Sequence, residues 1–143
     1  MSEHWASRVG RVVAEGQTDF LTREVPAPAT GEVVIRIRAS ALCGSDLHIF
    51  KAKHPSVPLP ATVGHEFAGD IAAVGAGVAG LAIGQRVTVE PCEACGVCDA
   101  CRHGEYGSCD KLTFIYRRGD GAMADYITVK AASVYPLPDG LSY

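Results

Sequence analysis

The chain has 143 residues, 48% of them hydrophobic, and a net charge of -3, which suits one ordinary domain with a real core. So mild a charge gives no reason to expect nucleic acid or an anionic membrane as partner, and no apolar run approaches the length of a membrane span. The opening "MSEHWASRVGRVVAEG" has no basic segment followed by an apolar stretch, so it does not read as a secretory signal. A cytoplasmic location is therefore expected, where thiols stay reduced and clustered cysteines point to metal or redox chemistry more than to disulfides.

The local pattern along the chain is mostly β. "RVGRVVAEG" is the first candidate strand, and "PAPATG" breaks the chain after it. "EVVIRIRAS" sets Val33, Ile35, Ile37 and Ala39 against Val34, Arg36, Arg38 and Ser40, a strand with one buried face and both arginines outward. "HEFAGDIAAVG", "GQRVTVEP" and, after the break "RRGDG", "AMADYITVK" are further strands. "GAGVAG", from Gly75 to Gly80, fits G-x-G-x-x-G and follows a strand. However, "LAIGQRVTV" comes next, so no helix would present its N-terminus to a pyrophosphate, and the segment reads as a turn. The final "YPLPDGLSY" has no periodicity and reads as a linker. There is no long amphipathic helix and no internal repeat. Short strands at fairly regular spacing predict a mainly β fold, a closed or partly closed antiparallel barrel that removes free edges. The domain is placed at residues 1–135, with a cysteine lobe at 91–110 and a linker beginning at 136–143.

Five of the six cysteines fall in "PCEACGVCDACRHGEYGSC". Thiolates at C-x2-C spacing converge on one ion because a tight turn brings both sulfurs to the same side, and zinc takes four of them tetrahedrally. Two quartets are open: Cys92, Cys95, Cys98 and Cys101, or Cys95, Cys98, Cys101 and Cys109. An iron–sulfur lobe would want C-x2-C-x2-C-x3-C-P, but here Arg102 follows the fourth cysteine of the series. The lobe therefore reads as a zinc site. Both quartets can close around the ion.

The sixth cysteine, Cys43, lies in "CGSDLH", and "GHEFAG" follows from Gly64 to Gly69. Taken alone, such a cysteine reads as a small core residue and such a histidine as structural. Together they offer a thiolate, an imidazole and nearby carboxylates upstream of a zinc-type lobe. These three ordered motifs resemble the zinc-containing, medium-chain alcohol dehydrogenases over essentially the whole chain. "CGSD" and "EPC" incline the resemblance toward the polyol, threonine and related secondary-alcohol enzymes.

The resemblance implies a partly open barrel like the co-chaperonin GroES, and a structural zinc held by Cys95, Cys98, Cys101 and Cys109, with Cys92 the odd one out. It implies that Cys43 and His65 ligate a catalytic zinc with Glu66 beside the metal. Asp46 would accept the outer N–H of His65, Ser45 would take the proton of the alcohol, and His48 would pass it toward solvent. An acid next to a ligating histidine must bend its chain to reach the same ion, so this site is expected to be incomplete within the chain, with a third ligand beyond Tyr143. His4, His54 and His103 match no ligand position and read as solvated.

Two departures stand out. The family's "GDRV" is "GQRV" here, with Gln85 in place of the acid, a change expected to touch only a turn. Family members also continue into a nucleotide-binding domain beyond the point where this chain ends. NAD or NADP is accordingly expected only in a full-length enzyme, with no cofactor-binding residue in this chain, and the chain by itself is expected to be inactive. The reading is the catalytic domain of a zinc-dependent, NAD(P)-linked dehydrogenase acting on a small alcohol or polyol. Self-association through the partly apolar face carrying Cys43 is also expected. The rival reading is a non-enzymatic, zinc-stabilised binding module that kept the barrel.

Overall fold

A computed structural model describes residues 4–115 and 121–143. The chain enters as a long hairpin, β1 (His4–Ala14) against β2 (Gln17–Pro26), and continues into β3 (Glu32–Ala41) and the short helix α1 (Gly44–Phe50). After β4 (Ala61–Thr62) come β5 (Glu66–Val74) and β6 (Arg86–Val89). The cysteine lobe opens with β7 (Cys92–Glu93), contains α2 (Asp99–Arg102), and closes with β8 (Thr113–Phe114). The chain then finishes with β9 (Tyr126–Lys130) and β10 (Val134–Pro136).

All the strand pairings are antiparallel, in sheets ordered β2-β1-β4, β10-β6-β5-β3-β9 and β7-β8. The sheets do not close into a complete barrel, so the fold is mainly β and partly open, as the sequence predicts. Val33, Ile35, Phe67, Ile71, Val87, Val89, Ile127 and Val129 form the main core inside the five-stranded sheet. Ser7, fully buried, stitches the two larger sheets: its hydroxyl donates to the Tyr126 carbonyl at 3.2 Å and accepts the Tyr126 N–H at 3.0 Å. Ile127, which is 0% exposed in the middle of this core, gives a direct test of the packing. Ile127→Ala should cost about 2–5 kcal/mol, because the methyl groups lose their transfer energy and leave a cavity. Urea unfolding followed by circular dichroism would read the loss.

The structure differs from the sequence reading in four places. Val34 is as buried as Val33 and Ile35, because β2 covers the outer face of β3 there; Val34 packs with Val25 and Ala73. Arg36 and Arg38 further along the strand are exposed, and Arg38 pairs with Asp70 at 2.5 Å. Strand β2 carries no hydropathy signal because its inward side includes Asp19 and Arg23; Asp19 is satisfied by Arg11 directly opposite, at 2.9 and 2.6 Å. The tail read as a linker opens with Tyr135 and Pro136 completing β10 against β6. His54, read as solvated, is half-buried and accepts the Ser56 N–H at 3.3 Å, so it closes a turn.

The Gly75–Gly80 segment is a turn with no helix after it before β6. Gln85 accepts the Ala82 N–H at 3.0 Å and so shapes a turn. Of the "RRGDG" break, only Gly121 falls within the described residues.

Candidate active site and metal centres

Cys43 is the N-cap of α1, in extended conformation with φ -90° and ψ 162°. Asp46, at the third helical position, reaches back so that one carboxylate oxygen accepts the Cys43 N–H at 3.0 Å. The other oxygen accepts the Gly64 N–H, also at 3.0 Å. One carboxylate, only 3% exposed, therefore ties the backbone of Cys43 to the backbone just before His65. The thiol of Cys43, the imidazole of His65 and the carboxylate of Glu66 offer ligand atoms within 4.8 Å of one another.

Glu66 was expected to need a bent chain to join such a set. Its ligand atom does lie with those of Cys43 and His65: Gly64 at φ 91° turns the chain just before His65, and Glu66 is the first residue of β5. His65 is buried, whereas Glu66 is exposed on the open side. The expected Asp46–His65 hydrogen bond is replaced by a 3.6 Å approach of Nδ1 to the carboxylate, longer than a hydrogen bond. Each carboxylate oxygen instead accepts a backbone N–H, of Cys43 and of Gly64. Ser45 is half-buried and His48 is exposed, three residues apart on α1, a spacing that places them on one side of the helix. Sequence reasoning missed Phe114, whose ring meets that of His65 edge-to-face at 6.4 Å and 76°. Only the return of β8 onto β7 brings it there.

In the lobe, the structure gathers Cys95, Cys98, Cys101 and Cys109, with sulfurs within 4.8 Å of one another, and leaves Cys92 outside. Cys92 lies in β7 opposite Phe114, and its N–H donates to Glu90 at 3.3 Å. Burial, and then Glu90, push its thiol up. A tetrahedral ion with Zn–S bonds near 2.3 Å would set its sulfurs about 3.8 Å apart. The Cys95 and Cys101 sulfurs stand at 4.0 Å. Backbone N–H groups already aim at these sulfurs: Cys95 and Lys111 donate to Cys109 at 3.3 Å, and Cys98 donates to Cys95 at 3.4 Å. The N–H of Val97, with that of Cys98, holds the Cys95 thiol down at about 6, while desolvation and the Cys98 side chain push Cys101 up to about 12. Four thiols so close cannot all ionise against one another. A central cation removes the conflict, so the donor set fits zinc. The lobe is pinned to the barrel by Glu93, 6% exposed, which meets Lys130 of β9 at 2.8 Å.

Residues 29–139 match the alcohol dehydrogenase GroES-like domain. The chain belongs to this family of zinc-type alcohol dehydrogenases. It is 37% identical to D-arabitol-phosphate dehydrogenase of Enterococcus avium over 128 residues, which cover 89% of the chain and 36% of the relative. It is 38% identical to L-threonine 3-dehydrogenase of Francisella tularensis over 128 residues, covering 86% and 36% of the two. The solved galactitol-1-phosphate dehydrogenase from Escherichia coli superposes with a TM-score of 0.87 at 37% identity, over 94% of this GroES-like chain and 39% of the other. The chain therefore spans little more than a third of the length of the curated relatives it matches. Among the described residues of this GroES-like domain, no helix is long and apolar enough to cross a membrane.

Proposed function

We propose that this GroES-like domain is the catalytic domain of a zinc-dependent, NAD(P)-linked dehydrogenase that oxidises a secondary hydroxyl of a small alcohol or polyol. The observation that carries the reading is the convergence of Cys43, His65 and Glu66 beside the α1 residues Ser45 and His48. The polyol and threonine dehydrogenases among its relatives support the substrate class. Cys43, His65 and Glu66 would hold a catalytic zinc with a position left open for substrate, and Cys95, Cys98, Cys101 and Cys109 a structural one.

A zinc ion bound there supplies a Lewis acid that lowers the pKa of the substrate hydroxyl. Ser45 accepts the hydroxyl proton at its Oγ. His48, exposed on the same side of α1, passes that proton toward solvent. A bound nicotinamide would supply the acceptor for the C–H hydride and its electron pair, the alcohol becoming a carbonyl. Asp46 holds the backbones of Cys43 and Gly64 in place. The Gly75–Gly80 turn opens no helix that could receive a pyrophosphate, which supports the further proposal that the chain by itself is inactive. A reducing compartment such as the cytoplasm keeps the thiols available to metal.

Cobalt in place of zinc provides the test, because a four-thiolate site and a one-thiolate site absorb differently. Two cobalt ions per chain are expected, and added polyol should perturb only the one-thiolate spectrum. Cys43→Ser should abolish that spectrum and leave the lobe's intact. A wild-type protein that fills the lobe alone, or whose one-thiolate spectrum ignores every alcohol offered, would overturn the proposal.

A further inference from the structure

We propose that Gly121 is a positioning residue for the Cys43/His65/Glu66 site, because only a residue without a Cβ lets residues 121–123 lie directly on Val63 and Gly64. The inference rests on the metal role proposed above for that cluster. It starts from the two residues that precede His65, which are pinned from both sides. On one side Asp46 accepts the Gly64 N–H at 3.0 Å. On the other, the Ala122 N–H donates to the Gly64 carbonyl at 2.9 Å and the Met123 N–H to the Val63 carbonyl at 3.0 Å. The bonded segment is itself anchored to β1, since Gly10 donates to the Met123 carbonyl at 2.8 Å. Asp125 continues the anchor: its N–H donates to the Arg8 carbonyl at 3.1 Å, and its carboxylate accepts the Arg8 N–H at 2.9 Å.

The contact leaves no room for a side chain at 121. A Cβ on Gly121 would strike the Val63 carbonyl oxygen and stand 2.6 Å from the Val63 nitrogen. Those are backbone atoms, which cannot turn aside as a side chain would. A methyl group at 121 must therefore separate the two segments or shift Val63 and Gly64. Either movement shifts His65 and Glu66 against Cys43, which sits on α1 and is linked to Gly64 through the Asp46 side chain. Gly10 touches the same segment from the other side, but there a Cβ would meet its nearest atoms at 3.6 Å, an ordinary contact. The two glycines thus make a matched pair: both border residues 121–123, and only one is sterically obligatory.

The experiment is a cobalt titration of wild type, Gly121→Ala and Gly10→Ala, reading the one-thiolate and four-thiolate spectra separately, with Tm recorded for each. In Gly121→Ala the lobe should fill normally while cobalt affinity at the Cys43 cluster falls on the order of 10- to 100-fold, the range seen when the support of a metal ligand is removed. Gly10→Ala should keep both affinities. Unchanged affinity at the cluster in a folded Gly121→Ala protein would overturn the inference. If that variant does not fold, hydrogen exchange of the wild type decides. Filling the cluster should slow exchange at the amides of Ala122 and Met123, because coupling between a site and its support is reciprocal; equal rates with and without metal there would overturn it. A wild-type cluster that takes no cobalt sinks the metal reading first, and this inference with it.

Discussion

Replacing Cys95, Cys98, Cys101 or Cys109 singly by serine should release the lobe's metal and loosen residues 92–110, while Cys92→Ser should keep it. The four named sulfurs converge, and Cys92 stands apart in β7. Structural zinc binding is worth about 10–16 kcal/mol in small zinc domains, so losing one of four ligands costs roughly 3 kcal/mol, about two orders of magnitude in affinity. Because no preformed site exists in an unfolded chain, that energy is also folding energy for the lobe. The effect should stay local at first: Ile115, just after β8, is buried in the main core, and Glu93 still anchors the lobe base to Lys130. Metal content after dialysis against a competing chelator, with amide exchange across the lobe, measures both parts. Metal loss from Cys92→Ser with retention in Cys109→Ser would show that the wrong four sulfurs have been assigned.

Asp46→Ala should be among the most damaging single changes outside the metal ligands. It removes two hydrogen bonds to backbone donors, one of them from the buried Gly64 N–H. An unsatisfied buried donor costs about 1–3 kcal/mol, and the helix also loses the Asp46 half of its capping box, worth about 1 kcal/mol. The sum, roughly 2–4 kcal/mol, should lower Tm on the order of 10 °C in a chain of this size. Asp46→Asn keeps one acceptor but sets its NH2 group against the second N–H, so it should recover only part of the loss. The same variants should weaken metal binding at Cys43 and His65 and leave the lobe filled, since Asp46 joins the backbone of Cys43 to that of Gly64, next to His65. Thermal unfolding with zinc analysis on both variants tests this. An Asp46→Ala protein as stable as wild type would mean that solvent or a neighbour replaces the carboxylate.

What was legible in the sequence was local. Val33, Ile35 and Ile37 announced β3 because side chains alternate across a strand. The C-x2-C spacings announced a metal lobe because such thiols meet within a single turn. The order of "CGSDLH", "GHEFAG" and the lobe carried the family resemblance. What required the tertiary structure was whatever depended on pairing distant segments. Strand β2 was hidden because its inward Asp19 is neutralised by Arg11 on the neighbouring strand, which hydropathy cannot see. Asp46 could be expected near His65, but only the folded arrangement showed its oxygens spent on the Cys43 and Gly64 backbones. Glu66 joined the cluster only in the folded chain, and Phe114 reached His65 through the return of β8. Gly121 looked like one more turn glycine until its missing Cβ proved to be the space that Val63 occupies. Spacing along the chain determines which atoms meet within a turn. Which segments press against one another is decided by burial and backbone hydrogen bonding across the whole fold, and the Cys43/His65/Glu66 cluster was assembled at that second level.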